Sequence, residues 1–111
     1  IIHDTLSRQN LSYSLVFSHG TYVDILPSRA SKGRAVSYLS NKWQIEGTHI
    51  VTAGNSGNDR DMLTCRVRGV VVSNYSAEIE LLRKNKSVYF ADKAYAAGVL
   101  EGLRFWTERD K

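Results

Sequence analysis

Thirteen consecutive residues, Val51-Thr52-Ala53-Gly54-Asn55-Ser56-Gly57-Asn58-Asp59-Arg60-Asp61-Met62-Leu63, limit what this chain can fold into. Ile50, Val51 and Ala53 form a short apolar run that reads as a buried strand. The run ends in the glycine-punctuated loop Gly54-Asn55-Ser56-Gly57, and Asn58 to Leu63 reads as the first turns of a helix. Ser56 followed three residues later by Asp59 fits a capping pattern, and Asp59 and Asp61 sit where a helix N-terminus favours negative charge. Strand, glycine loop and acidic helix start are how an α/β protein builds a polar site at the carboxyl end of its sheet. The glycines are expected to let the backbone approach a ligand, and the free N–H groups of the first helical turn to attract an anion.

The flanking sequence extends this pattern. Residues 1–11 lack a clear period. Ser12 to Ser18 and Thr21 to Leu26 both alternate, with His19-Gly20 as a two-residue turn between them, so a β-hairpin is expected, ended by Pro27. Ala35, Val36, Leu39 and Trp43 recur at helical spacing behind Ser31, a capping residue, which predicts a helix over 31–44. A strand over 49–53, the glycine loop and a short helix to Thr64 follow. Gly69-Val70-Val71-Val72-Ser73 is a continuous β-branched run, as in a buried parallel strand. A helix over 77–84 presents Ile79 and Leu82, and a strand covers 87–90. A last helix over 93–107 carries the stripe Tyr95, Val99, Leu103 and Trp106. Gly98 and Gly102 weaken that helix intrinsically and suggest close packing against the sheet. From Ser31 onward helices and strands alternate, which implies a parallel sheet with right-handed crossovers. The front hairpin does not share that rhythm and reads as a separate antiparallel element.

Composition narrows the function classes. At 111 residues the chain is one domain or part of one, and 42% apolar residues suffice for a core. No apolar run approaches the roughly 20 residues that span a bilayer, so no membrane partner is expected. The start has no signal-like block, and the only methionine is the internal Met62, which reads as a fragment or a processed chain. The single Cys65 excludes an internal disulfide and a cysteine-based zinc cluster, and suits the cytoplasm. Cys65 follows a helix end with no histidine near it in sequence, which makes it a poor nucleophile. The net charge of +4 is scattered, and its tightest cluster, Arg83-Lys84-Asn85-Lys86, reads as a helix end complementing the dipole, so no nucleic-acid partner is expected.

Gly54-Asn55-Ser56-Gly57-Asn58-Asp59 resembles the fourth motif of the haloacid-dehalogenase (HAD) phosphatases, usually Gly-Asp-Ser-x-Asn-Asp. Leu26-Pro27 with Ser31-Lys32-Gly33, preceded by Asp24, resembles the third motif of the cap-bearing subclass. Val70 to Asn74 with Glu78 resembles the strand and helix start after motif four. The ending Tyr89-Phe90-Ala91 and Tyr95 to Gly102 resembles the sucrose-phosphate phosphatase branch and, more closely, the phosphatase-like C-terminal domain of bacterial sucrose-phosphate synthases. The resemblance implies an α/β, Rossmann-like HAD core fragment over 28–111, preceded over 1–27 by the end of a cap domain. It implies hydrolysis of a sugar phosphate, with sucrose 6-phosphate favoured and magnesium as cofactor in the intact parent.

By the same resemblance Lys32 neutralises the phosphate and steadies the nucleophile, and Asp59 helps hold magnesium. Asn55 stands where the family has the first of the motif's two metal-linked carboxylates, Asp59 being the second, and an amide is a weaker ligand for a hard cation. Ser31, Ser56, Gly57, Asn58 and Asn74 are candidates for phosphate or substrate binding, and His19 at the hairpin tip for sugar hydroxyls. Each has a plainer reading: a solvated lysine, a dipole-stabilising acid, a turn asparagine or histidine, a helix cap. The family's Asp-x-Asp nucleophile on an apolar strand has no counterpart, because Asp59-Arg60-Asp61 belongs to a helix. The chain alone is therefore expected not to turn over. Its sheet is expected to leave a bare edge near Ile50–Ala53, to be paired by the rest of its parent or by a second copy. The alternative is a non-catalytic binding or regulatory module attached to a sucrose-phosphate synthase.

Overall fold

The computed structural model describes residues 4, 5, 8, 13–18, 22–27 and 30–109. Strands β1 (Tyr13–Ser18) and β2 (Tyr22–Pro27) form an antiparallel two-stranded sheet in which Ser18 pairs with Tyr22 and Tyr13 with Pro27. The hairpin is as the alternation predicts, and the expected two-residue turn lies outside the described residues. His19 lies outside the described residues.

Helix α1 (Lys32–Trp43) is capped by Ser31, whose Oγ accepts the Arg34 N–H at 3.0 Å. It ends at Gln44, in the left-handed region at φ 52°. After a 3-10 turn at Gly47–His49, strand β3 (Val51–Gly54) runs into a second 3-10 turn at Gly57–Asp59, which continues as the short helix α2 (Arg60–Thr64). Strands β4 (Arg68–Val71) and β5 (Val88–Phe90) follow, separated by a helical segment at Ala77–Lys84, and helix α3 (Tyr95–Arg109) closes the described chain.

The second sheet has the order β3-β4-β5 and is parallel throughout. Strand β4 is central, which is why its sequence is continuously β-branched: Val70 and Val71, both fully buried, point to opposite faces. Val71 packs with Leu63, Ile79, Leu82 and Val88 on one face. Val70 packs with Ala91 and Trp106 on the other, beside Val51, Ala53, Tyr89 and Phe105. Each fully buried aliphatic side chain contributes about 1.5–3 kcal/mol. Among the described residues β3 pairs only with β4, so its outer edge has no strand partner there.

Three expectations are corrected. The segment 77–84 is a 3-10 helix rather than an α-helix, although it does bury Ile79 and Leu82. The two β strands at the site are displaced, to Val51–Gly54 rather than 49–53 and to Arg68–Val71 rather than 69–73. The buried face of α3 is Gly98, Gly102 and Trp106, not the stripe Tyr95, Val99, Leu103 and Trp106; Tyr95 is 75% exposed. The reason is steric. A Cβ at Gly102 would collide with both methyls of Val70, and one at Gly98 would sit 2.9 Å from Val72 Cγ1. The helix lies on the sheet through its glycines, so the larger apolar residues are turned outward. Trp106 completes this face by donating its ring N–H to the Gly69 carbonyl at 3.0 Å.

Candidate functional site

Parallel pairing brings the carboxyl ends of β3 and β4 to the same edge of the sheet, where open α/β sheets bind ligands. The loops leaving them are tied together. Val72 N–H donates to the Gly54 carbonyl at 3.3 Å and Ser76 N–H to the Asn55 carbonyl at 2.8 Å. The N-termini of α1 and α2 open at this edge, and α1 lies against α2.

Asp59 is the centre of the arrangement. Its side chain is only 8% exposed, and its Oδ1 accepts from Lys32 Nζ at 2.6 Å. Its Oδ2 accepts the backbone N–H of Asn55 at 3.0 Å and, more loosely, that of Ser56 at 3.4 Å. The bond from Ser56 is the return half of the capping box that the Ser-x-x-Asp spacing predicts. The Ser56 hydroxyl, almost fully buried, donates to Asn58 Oδ1 at 2.6 Å. Thr52 Oγ1, also buried, donates to the Met62 carbonyl at 3.0 Å and fastens α2 to β3.

Lys32 is 51% exposed while its partner is buried. The ammonium has three donors, so those not directed at Oδ1 are available to an anion on the solvent side. A lysine at a helix N-terminus opposes the dipole, and here Asp59 supplies the compensating charge.

The fold thus gathers Ser31, Lys32, Asn55, Ser56, Gly57, Asn58 and Asp59 around one loop. Asn74 is different: its Oδ1 accepts the Tyr95 N–H at 2.9 Å, which anchors the start of α3 where Tyr95 has φ 52°. It is a cap, but of α3 rather than of the helical segment that follows it in sequence. Cys65 is half-buried and donates to the Met62 carbonyl at 3.3 Å; burial pushes its thiol up, away from nucleophilic character.

Sequence reasoning missed two structural features of the site. Glycine at 54 was expected to admit a ligand, but the space it leaves is filled by the Asp59 carboxylate. Glu101, unremarked in sequence, accepts the N–H groups of Asp92 and Lys93 and the Tyr89 hydroxyl, and so fixes the turn from β5 into α3. Only the glutamate's place nearly two turns inside a helix, facing back on a turn eight and nine positions earlier, makes it useful, and no local pattern marks that.

Among the described residues no group of three or more His, Cys, Asp or Glu side chains is gathered closely enough to hold a metal ion. Both oxygens of Asp59 are already engaged, one by a cation, and Asn55 offers only an amide. This donor set does not fit a magnesium ion held by these residues alone.

Comparison with known proteins supplies the family. The model of sucrose-6F-phosphate phosphohydrolase matches residues 1–107. The chain belongs to that family. A mannosylfructose-phosphate phosphatase of Agrobacterium fabrum is 36% identical over 95% of this chain and 43% of its own length. A probable sucrose-phosphatase 3a of Arabidopsis thaliana is 31% identical over 94% of this chain and 27% of its own. The solved sucrose-phosphatase of Synechocystis sp. PCC6803, in complex with sucrose and phosphate, superposes with a TM-score of 0.86 at 29% identity, over 94% of this chain and 44% of that one. A haloacid dehalogenase-like hydrolase of Bacillus subtilis shares the fold at TM-score 0.66 and 21% identity, over 94% of this chain and 38% of that one. The architecture is therefore the α/β, Rossmann-like HAD fold. The chain spans less than half the length of these relatives.

Proposed function

We propose that this chain is the phosphate-handling portion of a sugar-phosphate phosphatase, with sucrose 6-phosphate as its substrate. The observation that carries the reading is the Lys32–Asp59 pair at the carboxyl end of β3, a half-exposed ammonium held by a buried carboxylate. In this role Lys32 binds the phosphate oxygens and offsets charge that grows in the transition state, and Asp59 keeps the ammonium aimed. Ser31, Ser56, Gly57 and Asn58 shape the loop around the phosphate, and Asn74 acts only through the start of α3. The attacking aspartate comes from residues outside these 111, so the chain alone does not turn over. A magnesium site likewise needs carboxylates from outside, with Asp59 and Asn55 at its border.

We assign residues 1–27 to the end of a cap domain and 28–111 to the core; the hairpin's separate sheet supports this division. The rest of the parent chain covers the outer edge of β3 and the outward apolar residues of α1, where Tyr38 and Trp43 are 63% and 60% exposed. The single cysteine suits a cytoplasmic setting. Among the described residues no helix is long and apolar enough to cross a membrane. The Agrobacterium relative makes mannosylfructose phosphate a second candidate substrate. The relatives named above carry phosphatase or hydrolase names, which favours catalysis over a non-catalytic module of a sucrose-phosphate synthase.

The test is phosphate release from sucrose 6-phosphate and from mannosylfructose phosphate by the natural protein that contains this sequence. Lys32→Met should lower turnover about 10²–10³-fold, as removal of one charge-stabilising donor does elsewhere. No release from either ester, or release indifferent to Lys32→Met, would reject the assignment.

A further inference from the structure

We propose that Gly54 and Gly33 are positioning residues for the Lys32–Asp59 pair, holding its two halves in register from opposite sides. The proposal takes from the function above only that Lys32 and Asp59 work as a pair. Neither glycine has a left-handed backbone, so it is space, not φ, that each provides.

A Cβ on Gly54 would lie 2.5 Å from Asp59 Cβ, 2.7 Å from Cγ and 2.6 Å from Oδ2. All three atoms belong to the one carboxylate side chain that pairs with Lys32. That side chain cannot retreat freely, because it is buried and its Oδ2 is tied to the Asn55 and Ser56 N–H groups. Ordinary contact needs about 3.4 Å or more, so a methyl at 54 displaces the carboxylate by close to an ångström. Oδ1 then turns away from Lys32, or Oδ2 leaves its backbone donors.

Gly33 acts on the other half. It is the buried residue of α1 and follows Lys32 directly. A Cβ there would meet the Asp61 carbonyl oxygen and Asp61 Oδ2, both at 2.8 Å. Gly33 therefore lets the first turn of α1 seat on the first turn of α2, two residues beyond Asp59. This seating brings the Lys32 backbone close enough for its side chain to reach Oδ1 while staying half in solvent. Chain connectivity alone does not provide this, because 27 positions separate the two residues.

The test reads the pair directly in the isotopically labelled natural protein that contains this sequence. The reporter is the Lys32 ¹⁵Nζ signal and its coupling through the hydrogen bond to Asp59 ¹³Cγ. The native chain should show the coupling. Gly54→Ala and Gly33→Ala should each lose it while the remaining amide spectrum persists. Gly69→Ala, crowded instead by Leu63 and Val88, should lower the melting temperature and keep the coupling. A second measurement covers a variant too unstable for spectroscopy. In an Asp59→Gly background, which removes the three atoms nearest to a methyl at 54, adding Gly54→Ala should leave the melting temperature unchanged. Retention of the coupling in folded Gly54→Ala or Gly33→Ala, or an equal melting loss from Gly54→Ala in both backgrounds, would overturn the proposal. Neither readout involves a phosphate ester, so failure here and failure of the phosphatase assignment are separate results.

Discussion

Lys32 and Asp59 touch each other, yet their loss should affect stability very differently. Asp59→Ala removes a buried carboxylate that accepts two backbone N–H groups and forms the return half of a capping box. The Asn55 N–H, bonded at 3.0 Å, is left without its acceptor, at about 1–3 kcal/mol. The 3.4 Å bond from Ser56, the return half of the capping box, adds little to this. The expected loss is about 1–3 kcal/mol. Lys32→Met keeps the apolar stem and removes an ammonium that is 51% exposed. A pair this open to solvent contributes about 0–1 kcal/mol, and relief of the unfavourable helix-start charge returns about 0.3–1 kcal/mol, so the net change is close to zero. In urea unfolding followed by circular dichroism, the midpoint of Asp59→Ala should fall roughly 0.5–3 M below that of Lys32→Met, for a loss of about 1–3 kcal/mol and a slope of about 1–2 kcal/mol/M. In the natural protein both variants should nonetheless lose phosphate release. Equal destabilisation by the two substitutions would refute the reasoning, because it would make Lys32 a structural residue rather than one kept for a ligand.

Helix propensity alone says Gly102→Ala should stabilise α3 by about 1 kcal/mol, but the added methyl strikes Val70, so we expect a net loss of about 1–3 kcal/mol in chemical unfolding; unchanged or increased stability would show that α3 lifts off β4 freely. The Asp92 N–H, the Tyr89 hydroxyl and the Lys93 N–H, in that order, hold the Glu101 carboxyl below its ordinary value. Its stabilising effect is therefore full above the unfolded value, about 4.3, and is lost as pH falls through the lower folded value, so the melting-temperature gap between wild type and Glu101→Gln should close below about pH 4. The same contact pushes the Tyr89 hydroxyl up to about 12, so its contribution holds below the unfolded value near 10 and fades between about 10 and 12, a loss that Tyr89→Phe should abolish in alkaline melting curves. Asn55→Asp adds a carboxylate next to Asp59 and, in a parent with its nucleophile, should raise magnesium-dependent phosphate release; no gain would show that Asn55 is not what limits the metal site.

The sequence by itself determined the elements that depend on near neighbours. The hairpin, α1 behind its Ser31 cap, the strand–loop–helix from Val51 to Thr64 and the doubly buried β4 follow from period, capping and β-branching, which act over a few residues. The same locality made Lys32 and Asp59 legible as candidates, since the motifs that carry them are short. Three-dimensional packing decided the rest. That Lys32 meets Asp59 depends on α1 seating against α2 through Gly33, and nothing in either motif encodes the distance between them. That α3 buries Gly98 and Gly102 and exposes Tyr95 and Val99 depends on the methyls of Val70 and Val72, which a helical wheel does not contain. Asn74 was legible as a cap, but the N–H it caps lies 21 positions away, and Glu101 was not legible at all. Periodicity records which residues share a face, whereas shape at close approach decides which face is buried and which charges meet.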